Sequence, residues 1–159
     1  MVGLGLHALA ALPDNVQVLV TDSDGDTVTA VDASGPDAPV PVAKKPLDVA
    51  VSAEGSRAVV TNADAAALSV LDVPSGEVMR VPVGTGPEHV AISPDGTRAY
   101  VTYDPPNVVN VVDLTRPGAE RQILPVGGGA RGVVVSPDAT RLIVGRHDDD
   151  VVTIRDTGR

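Results

Sequence analysis

An all-β fold made of four repeated antiparallel units is the architecture this sequence predicts, and three observations predict it. The first is a turn followed by a strand that recurs four times: LPDNVQVLVTD from Leu12, SAEGSRAVVTN from Ser52, SPDGTRAYVTY from Ser93 and SPDATRLIVGR from Ser136. Successive anchors lie 40, 41 and 43 residues apart. The second is an apolar run ending in aspartate that keeps the same step, at Asp32, Asp72, Asp113 and Asp156. The third is punctuation: 16 glycines and 14 prolines interrupt a chain of 159 residues, and apolar residues at helical spacing never extend beyond a turn or two. Two landmarks sharing one period of this size mark stacked supersecondary units.

The third unit shows the elements in order. HVAIS, from His89, is short, apolar and β-branched, and reads as an innermost strand. Ser93-Pro94-Asp95-Gly96 turns the chain, because proline presets φ, aspartate bonds its own backbone and glycine takes φ > 0. TRAYVTY is the second strand, Asp104-Pro105-Pro106-Asn107 a second turn, and VVNVVD an alternating third strand. Thr115-Arg116-Pro117-Gly118 turns again into RQILPVG, an outer strand interrupted by Pro125. Proline cannot donate to a sheet ladder and belongs on an edge. Four short antiparallel strands per 40-odd residues make the blade of a β-propeller. The expected blades run approximately 7–46, 47–87, 88–130 and 131–159 within a single domain spanning 1–159. An outer strand is expected near Pro39–Ala43, Met79–Gly84 and Gln122–Gly127. The fourth blade lacks one, since only Thr157-Gly158-Arg159 follows Asp156.

Composition narrows the functions. Hydrophobic residues make up 43% of the chain, with no Phe or Trp and only Tyr100 and Tyr103 as aromatics, so the core is aliphatic. There is no cysteine, which removes disulfides, thiolate metal sites and a cysteine nucleophile. Twenty-one acids against 12 bases give a net charge of −9. That field and the missing stacking aromatics argue against a nucleic-acid partner. No segment approaches the ~20 apolar residues of a membrane span. MVGLGLHALAAL at the start lacks a basic flank and aligns with the Val83-to-Ser93 stretch, so it reads as linker plus first strand and not as a signal peptide.

AISPDGTRAYVTY followed by VVNVVDL and PVGGGA resembles the YVTN β-propeller repeat family. The namesake motif stands as VLVTD at Val18–Asp22, AVVTN at Ala58–Asn62, AYVTY at Ala99–Tyr103 and LIVGR at Leu142–Arg146. Departures gather toward the ends, where Asn15 and Ala139 replace the turn glycine. The resemblance implies a propeller, often of seven blades and often exported, hence an extracellular or periplasmic setting. It also implies kinship with surface-layer repeats and, more distantly, with lactonase-type propellers. It implies no single activity, because the fold hosts many.

The most repeated residues belong to folding. The Asp32, Asp72, Asp113 and Asp156 series ends a strand before a turn, where a carboxylate caps backbone N–H groups. Arg57, Arg98 and Arg141 share one slot and are expected to pair with nearby acids or carbonyls. Candidate functional residues are the unrepeated ones. His7, Asp48, Glu88, His89 and Arg131 fall at blade links and first-strand starts. Ala8, Asp48, His89 and Gly132 share one repeat position, expected to ring the channel mouth. The second-to-third loops are acidic: Asp22, Asp24, Asp26, Asp64, Asp104, Asp148, Asp149 and Asp150. Asp22-Ser23-Asp24-Gly25-Asp26 resembles the opening of a calcium loop, but Thr27 and Ala33 stand where an EF-hand needs glycine and glutamate. The expected cofactor complement is therefore none, or a weakly bound divalent cation such as calcium on Asp22, Asp24 and Asp26. His147 beside Asp148 reads as a solvated loop residue, and Gly127-Gly128-Gly129 as a blade link.

The expected function is a non-catalytic binding or scaffold module with an acidic loop face for a protein or glycan partner. The alternative is a lactonase-like hydrolase or lyase with a metal at the channel mouth, near Asp48 and His89. The incomplete last blade leaves open strand edges suited to self-association. It suggests, in order, a piece of a longer propeller, an eight-blade ring of two copies, or strained closure as four blades.

Overall fold

A computed structural model describes the chain except for Met1, Val2, Leu4, Asp104, Glu120, Asp149 and Arg159. Asp104 and Asp149, named above in the acidic loops, lie outside the described residues. The chain forms four small antiparallel sheets. Blade 1 holds β1 (Leu6–Ala11), β2 (Val18–Asp22), β3 (Thr27–Asp32) and two short pieces, β4 (Gly35–Pro36) and β5 (Val40–Pro41). Blade 2 holds β6 (Pro46–Val51), β7 (Arg57–Asn62), β8 (Ala67–Asp72) and β9 (Val78–Pro82). Blade 3 holds β10 (Val90–Ile92), β11 (Arg98–Tyr103), β12 (Val108–Asp113) and β13 (Gln122–Pro125). Blade 4 has three strands: β14 (Ala130–Val135), β15 (Arg141–Arg146) and β16 (Val151–Asp156). This is a propeller arc of four blades, the last without an outer strand among the described residues.

The outer strand of blade 1 differs from the expected single strand near Pro39–Ala43. It is split, with Pro36 pairing Val31 and Val40 pairing Val28; between them Asp37 N still donates to the Ala30 carbonyl at 2.8 Å, and Ala38 and Pro39 loop out. Pro36, Pro39 and Pro41 all lack a donor, so no continuous ladder forms across this stretch.

Alternation decides which face of each blade meets its neighbour. Three clusters of buried residues result, one for each adjacent pair. Leu12, Leu19 and Val28 meet Val49, Ala58, Val60 and Leu71 between blades 1 and 2. Val59, Leu68, Val70 and Val81 meet Val90, Ile92, Ala99 and Val101 between blades 2 and 3. Ala91, Tyr100, Val109 and Val111 meet Val133, Leu142 and Val144 between blades 3 and 4. Among the described residues no fourth cluster joins blade 4 to blade 1, so the arc is open.

Three of the four strand-ending aspartates cap backbone N–H groups as the sequence predicts. Asp32 accepts from the Ser34 amide, Asp72 from that of Ser75, and Asp113 from those of Thr115 and Arg116. The Thr115 hydroxyl and amide, reinforced by the Arg116 guanidinium, hold the Asp113 carboxyl down to about 2. The Ser136 hydroxyl, with the Thr140 amide and hydroxyl, does the same for Asp138, also to about 2. Arg57 donates through Nη1 to the Gly96 carbonyl of the next blade at 2.7 Å.

The turn before each second strand needs positive φ at one position, filled by Asn15, Gly55, Gly96 and Ala139 with φ of 58°, 72°, 68° and 56°. Ala139 is the strained member, because a Cβ there costs about 1–2 kcal/mol. Ala139→Gly is expected to raise stability by about 1 kcal/mol after the added unfolded-state entropy. A urea midpoint that moves up with an unchanged slope checks it.

Candidate functional site

The threonine of the namesake motif builds the position where the candidates cluster. The register between first and second strands shifts between Leu6 and Leu9 and between Pro46 and Val49. In each gap a threonine hydroxyl takes the stranded amide: Thr21 Oγ1 that of Ala8 at 2.9 Å and Thr61 Oγ1 that of Asp48 at 3.0 Å. Thr102 Oγ1 takes the His89 amide at 3.2 Å, so these residues are held at one equivalent place in each blade. Blade 4 shifts likewise, between Ala130 and Val133, but has Gly145 in the threonine slot. Thr61 also donates to the Glu88 carbonyl at 2.8 Å, joining blade 2 to blade 3.

The structure brings Asp48 and His89 together, with Nδ1 3.4 Å from Oδ2. Glu88 Oε2 and Arg131 Nη1 form a second cross-blade pair, also at 3.4 Å. His7 has a different partner: its Nδ1 lies 2.8 Å from the Leu47 carbonyl. Both Asp48 oxygens already serve the backbone. Oδ1 accepts from Val49 N at 2.9 Å and Oδ2 from Val90 N, in the next blade, at 3.0 Å. Asp48 is a stitch between two inner strands. Among the described residues no group of three or more His, Asp or Glu side chains is placed to hold a metal ion.

The Asp22–Asp26 turn divides its acids. Asp22 is buried and its Oδ1 accepts three amides, from Gly5, Asp24 and Gly25 at 3.1–3.2 Å. Asp26 Oδ1 accepts from Lys45 N at 2.8 Å. Asp24 faces solvent. Asp24, Asp26 and Asp64 line a shallow depression of about 420 Å³ together with Ser23, Lys44 and Lys45. Lys45 Nζ sits 3.5 Å from Asp64. On blade 4 His147 Nδ1 lies 3.0 Å from Asp148, and Asp148 and Asp150 are exposed.

One set of residues escaped the sequence reading. Asp22, Asn62, Tyr103 and Arg146 close the namesake motif in the four blades, and each reaches back to the link that enters its own blade. Asn62 Nδ2 donates to the Ala43 carbonyl at 2.7 Å, and its Oδ1 accepts from Ser69 Oγ at 2.8 Å. The Tyr103 ring lies against Gly84, where an added Cβ would stand 3.3 Å from Cε1. Arg146 Nε donates to the Gly128 carbonyl at 3.4 Å. The slot is a latch on the interblade link, and only its position repeats.

Comparisons with known proteins agree with the geometry. No family model matches the chain, and no curated protein does. Among solved structures, a chain of Kuenenia stuttgartiensis hydrazine synthase is similar at 28% identity and a TM-score of 0.83, over 96% of this chain and 46% of that one. The Cps50 (Swd1) β-propeller domain of Myceliophteria thermophila is similar at 14% identity and a TM-score of 0.83, over 99% of this chain and 53% of that one. A candidate 6-phosphogluconolactonase from Bacteroides uniformis is similar at 16% identity and a TM-score of 0.77, over 95% and 50%. This chain thus spans about half the length of the structures it matches, and what it shares with them is the β-propeller fold.

Proposed function

We propose that the chain is a non-catalytic β-propeller scaffold of the YVTN repeat type. On this reading its acidic second-to-third loops engage a lysine- and arginine-rich protein segment. The supporting observation is a division of labour among the carboxylates. Asp48, at the expected channel mouth, spends both oxygens on backbone amides. Asp24, Asp64, Asp148 and Asp150 instead stand exposed on loops, in a chain whose net charge is −9. Solvated carboxylates on rigid hairpin tips attract cations at long range at little conformational cost.

A fluorescein-labelled Lys/Arg-rich decapeptide tests this by anisotropy, with an acidic peptide as control. Binding is expected to weaken as salt rises, because the Debye length falls from about 10 Å at 0.1 M to about 3 Å at 1 M. Asp24→Asn with Asp64→Asn is expected to weaken it roughly 3- to 10-fold, from about 0.3–0.7 kcal/mol per exposed pair. An affinity indifferent to these substitutions, or no binding at millimolar peptide, overturns the proposal.

The alternative, a lactonase-like hydrolase or lyase, draws on the 16%-identical Bacteroides uniformis structure, which shares the fold alone. The described donor set does not fit a metal beside Asp48 and His89, and no catalytic step follows from it. Lactone hydrolysis that needs an added divalent cation and disappears in His89→Ala would favour the enzyme.

A further inference from the structure

We propose that the groove between blades 1 and 2 binds an arginine side chain presented by a partner protein. The guanidinium takes the place that the chain's own Arg57 fills at the next boundary.

The repeat supplies the template. Gln17, Arg57, Arg98 and Arg141 occupy one slot at the start of the second strands. Arg57 crosses its boundary and donates through Nη1 to the Gly96 carbonyl of the following turn at 2.7 Å. The corresponding acceptor for Gln17 is the Gly55 carbonyl, because Gly55 and Gly96 hold the same positive-φ position in successive turns. Gln17 does not donate to it. Its shorter side chain turns along its own blade, where Nε2 donates to Asp37 Oδ2 at 3.3 Å. Asp37 stands within reach because it lies beside the break in the outer strand of blade 1. Among the described residues no donor reaches the Gly55 carbonyl.

Two adjoining depressions mark the groove that results. Each has a volume of about 450 Å³, and Gln17 and Val73 line both. The hollow beside Arg57 measures about 190 Å³. Val73 is only partly buried, whereas its equivalent at the next boundary, Leu114, is 2% exposed. The first depression contains Gly55 and is flanked by Asp14 and Glu54. The second has Leu19, Val28 and Leu71 at its base and Asp37 on its rim. Among the described residues no lysine or arginine lines either. This lining suits a guanidinium better than an ammonium. A planar fork can donate to a carbonyl and a carboxylate together, and an arginine stem lies along apolar surface while its head stays at the rim. An anion would face three carboxylates, and a purely apolar ligand would leave the Gly55 carbonyl unmatched. Both walls are interior to the arc, so the site requires nothing of what adjoins its ends. It also lies apart from the acidic loops. The strands are antiparallel throughout, so the first-to-second turns leave on the face opposite the second-to-third loops.

Titration of the ¹⁵N-labelled chain with N-acetyl-arginine amide, followed by amide chemical shifts, tests the proposal, with N-acetyl-lysine amide as the comparison. Arginine is expected to shift the Gln17 and Gly55 amides saturably at millimolar concentrations, and lysine to bind at least about 3-fold more weakly. Gln17→Arg places the chain's own guanidinium in the groove and is expected to abolish the saturable shifts. Glu54→Gln keeps the groove open and is expected to weaken binding roughly 2- to 5-fold, as the loss of one exposed ion pair. It keeps the test independent of how well Gln17→Arg folds. Asp24→Asn with Asp64→Asn should leave arginine binding unchanged, which separates this site from the loops. Shifts that do not saturate, equal binding of lysine, or binding that survives Gln17→Arg overturns the proposal. Indifference to Glu54→Gln, or a loss caused by the loop substitutions, does so as well.

Discussion

Tyr100→Ala is expected to remove about 3–5 kcal/mol of stability, the usual cost of truncating a fully buried aromatic to alanine. The ring is inaccessible to solvent and shares a cluster with Ala91, Val109, Val133, Leu142 and Val144. That cluster is the buried apolar contact between blades 3 and 4. Blade 4 has three strands and an apolar outer face, so it depends on this interface more than an interior blade depends on either of its own. In a stacked array each unit is stabilised mainly by its neighbours. The loss should therefore be local. Hydrogen exchange in β14–β16 is expected to accelerate well before that in β6–β8, and Tyr100→Phe, which keeps the ring, should retain most of the protection. Uniform acceleration across all four blades would show that the arc unfolds as one unit.

Most of the fold was legible because its determinants are local and repeated. The alternating strands and the strand-ending aspartates each carry their own signal four times over, and the proline-aspartate turn carries its signal in three units, with Ala53-Glu54 in the second. The split outer strand of blade 1 was less legible. Pro36, Pro39 and Pro41 show that the ladder must break but not where the chain resumes pairing. At the site, the repeat alignment placed Asp48 and His89 at equivalent positions, and they do meet. It could not show that both Asp48 oxygens are taken by amides, because that depends on how two different blades present the Val49 and Val90 N–H groups to one carboxylate. The latch slot was the least legible feature. Aspartate, asparagine, tyrosine and arginine share no chemistry, so no pattern in the sequence joins them. The partner decides the residue. Where the link offers the Gly5 amide an acceptor serves, and where it offers the Ala43 carbonyl a donor is required.

That rule makes Asn62 the most discriminating position in the chain. Asn62→Ala is expected to cost about 2–6 kcal/mol, since a buried hydrogen-bonding group left without its partner costs about 1–3 kcal/mol and two are affected. Asn62 is inaccessible, Ser69 nearly so, and the Ser69 hydroxyl in turn accepts the Ala43 amide at 3.1 Å. Three residues therefore close one network between the link and β8, and alanine opens it at two bonds. Asn62→Asp separates hydrogen bonding from size. The aspartate that suits blade 1 would here set a carboxylate against the Ala43 carbonyl, with no donor to offer unless protonated. Burial and that carbonyl raise its folded pKa above the unfolded value of about 3.9. A raised carboxyl pKa means that the folded state holds the proton longer, so stability is greatest below pH ~4 and falls as pH rises toward 7. The parent chain runs the other way through its depressed carboxyls, Asp113 and Asp138 at about 2. Those contribute above pH ~4 and lose their contribution as pH falls toward 2. Denaturant midpoints at pH 4.5 and 7 should therefore show a larger deficit for Asn62→Asp at neutral pH. Equal deficits at both would mean that the slot is read by shape alone, and that asparagine is not in blade 2 for the hydrogen it donates.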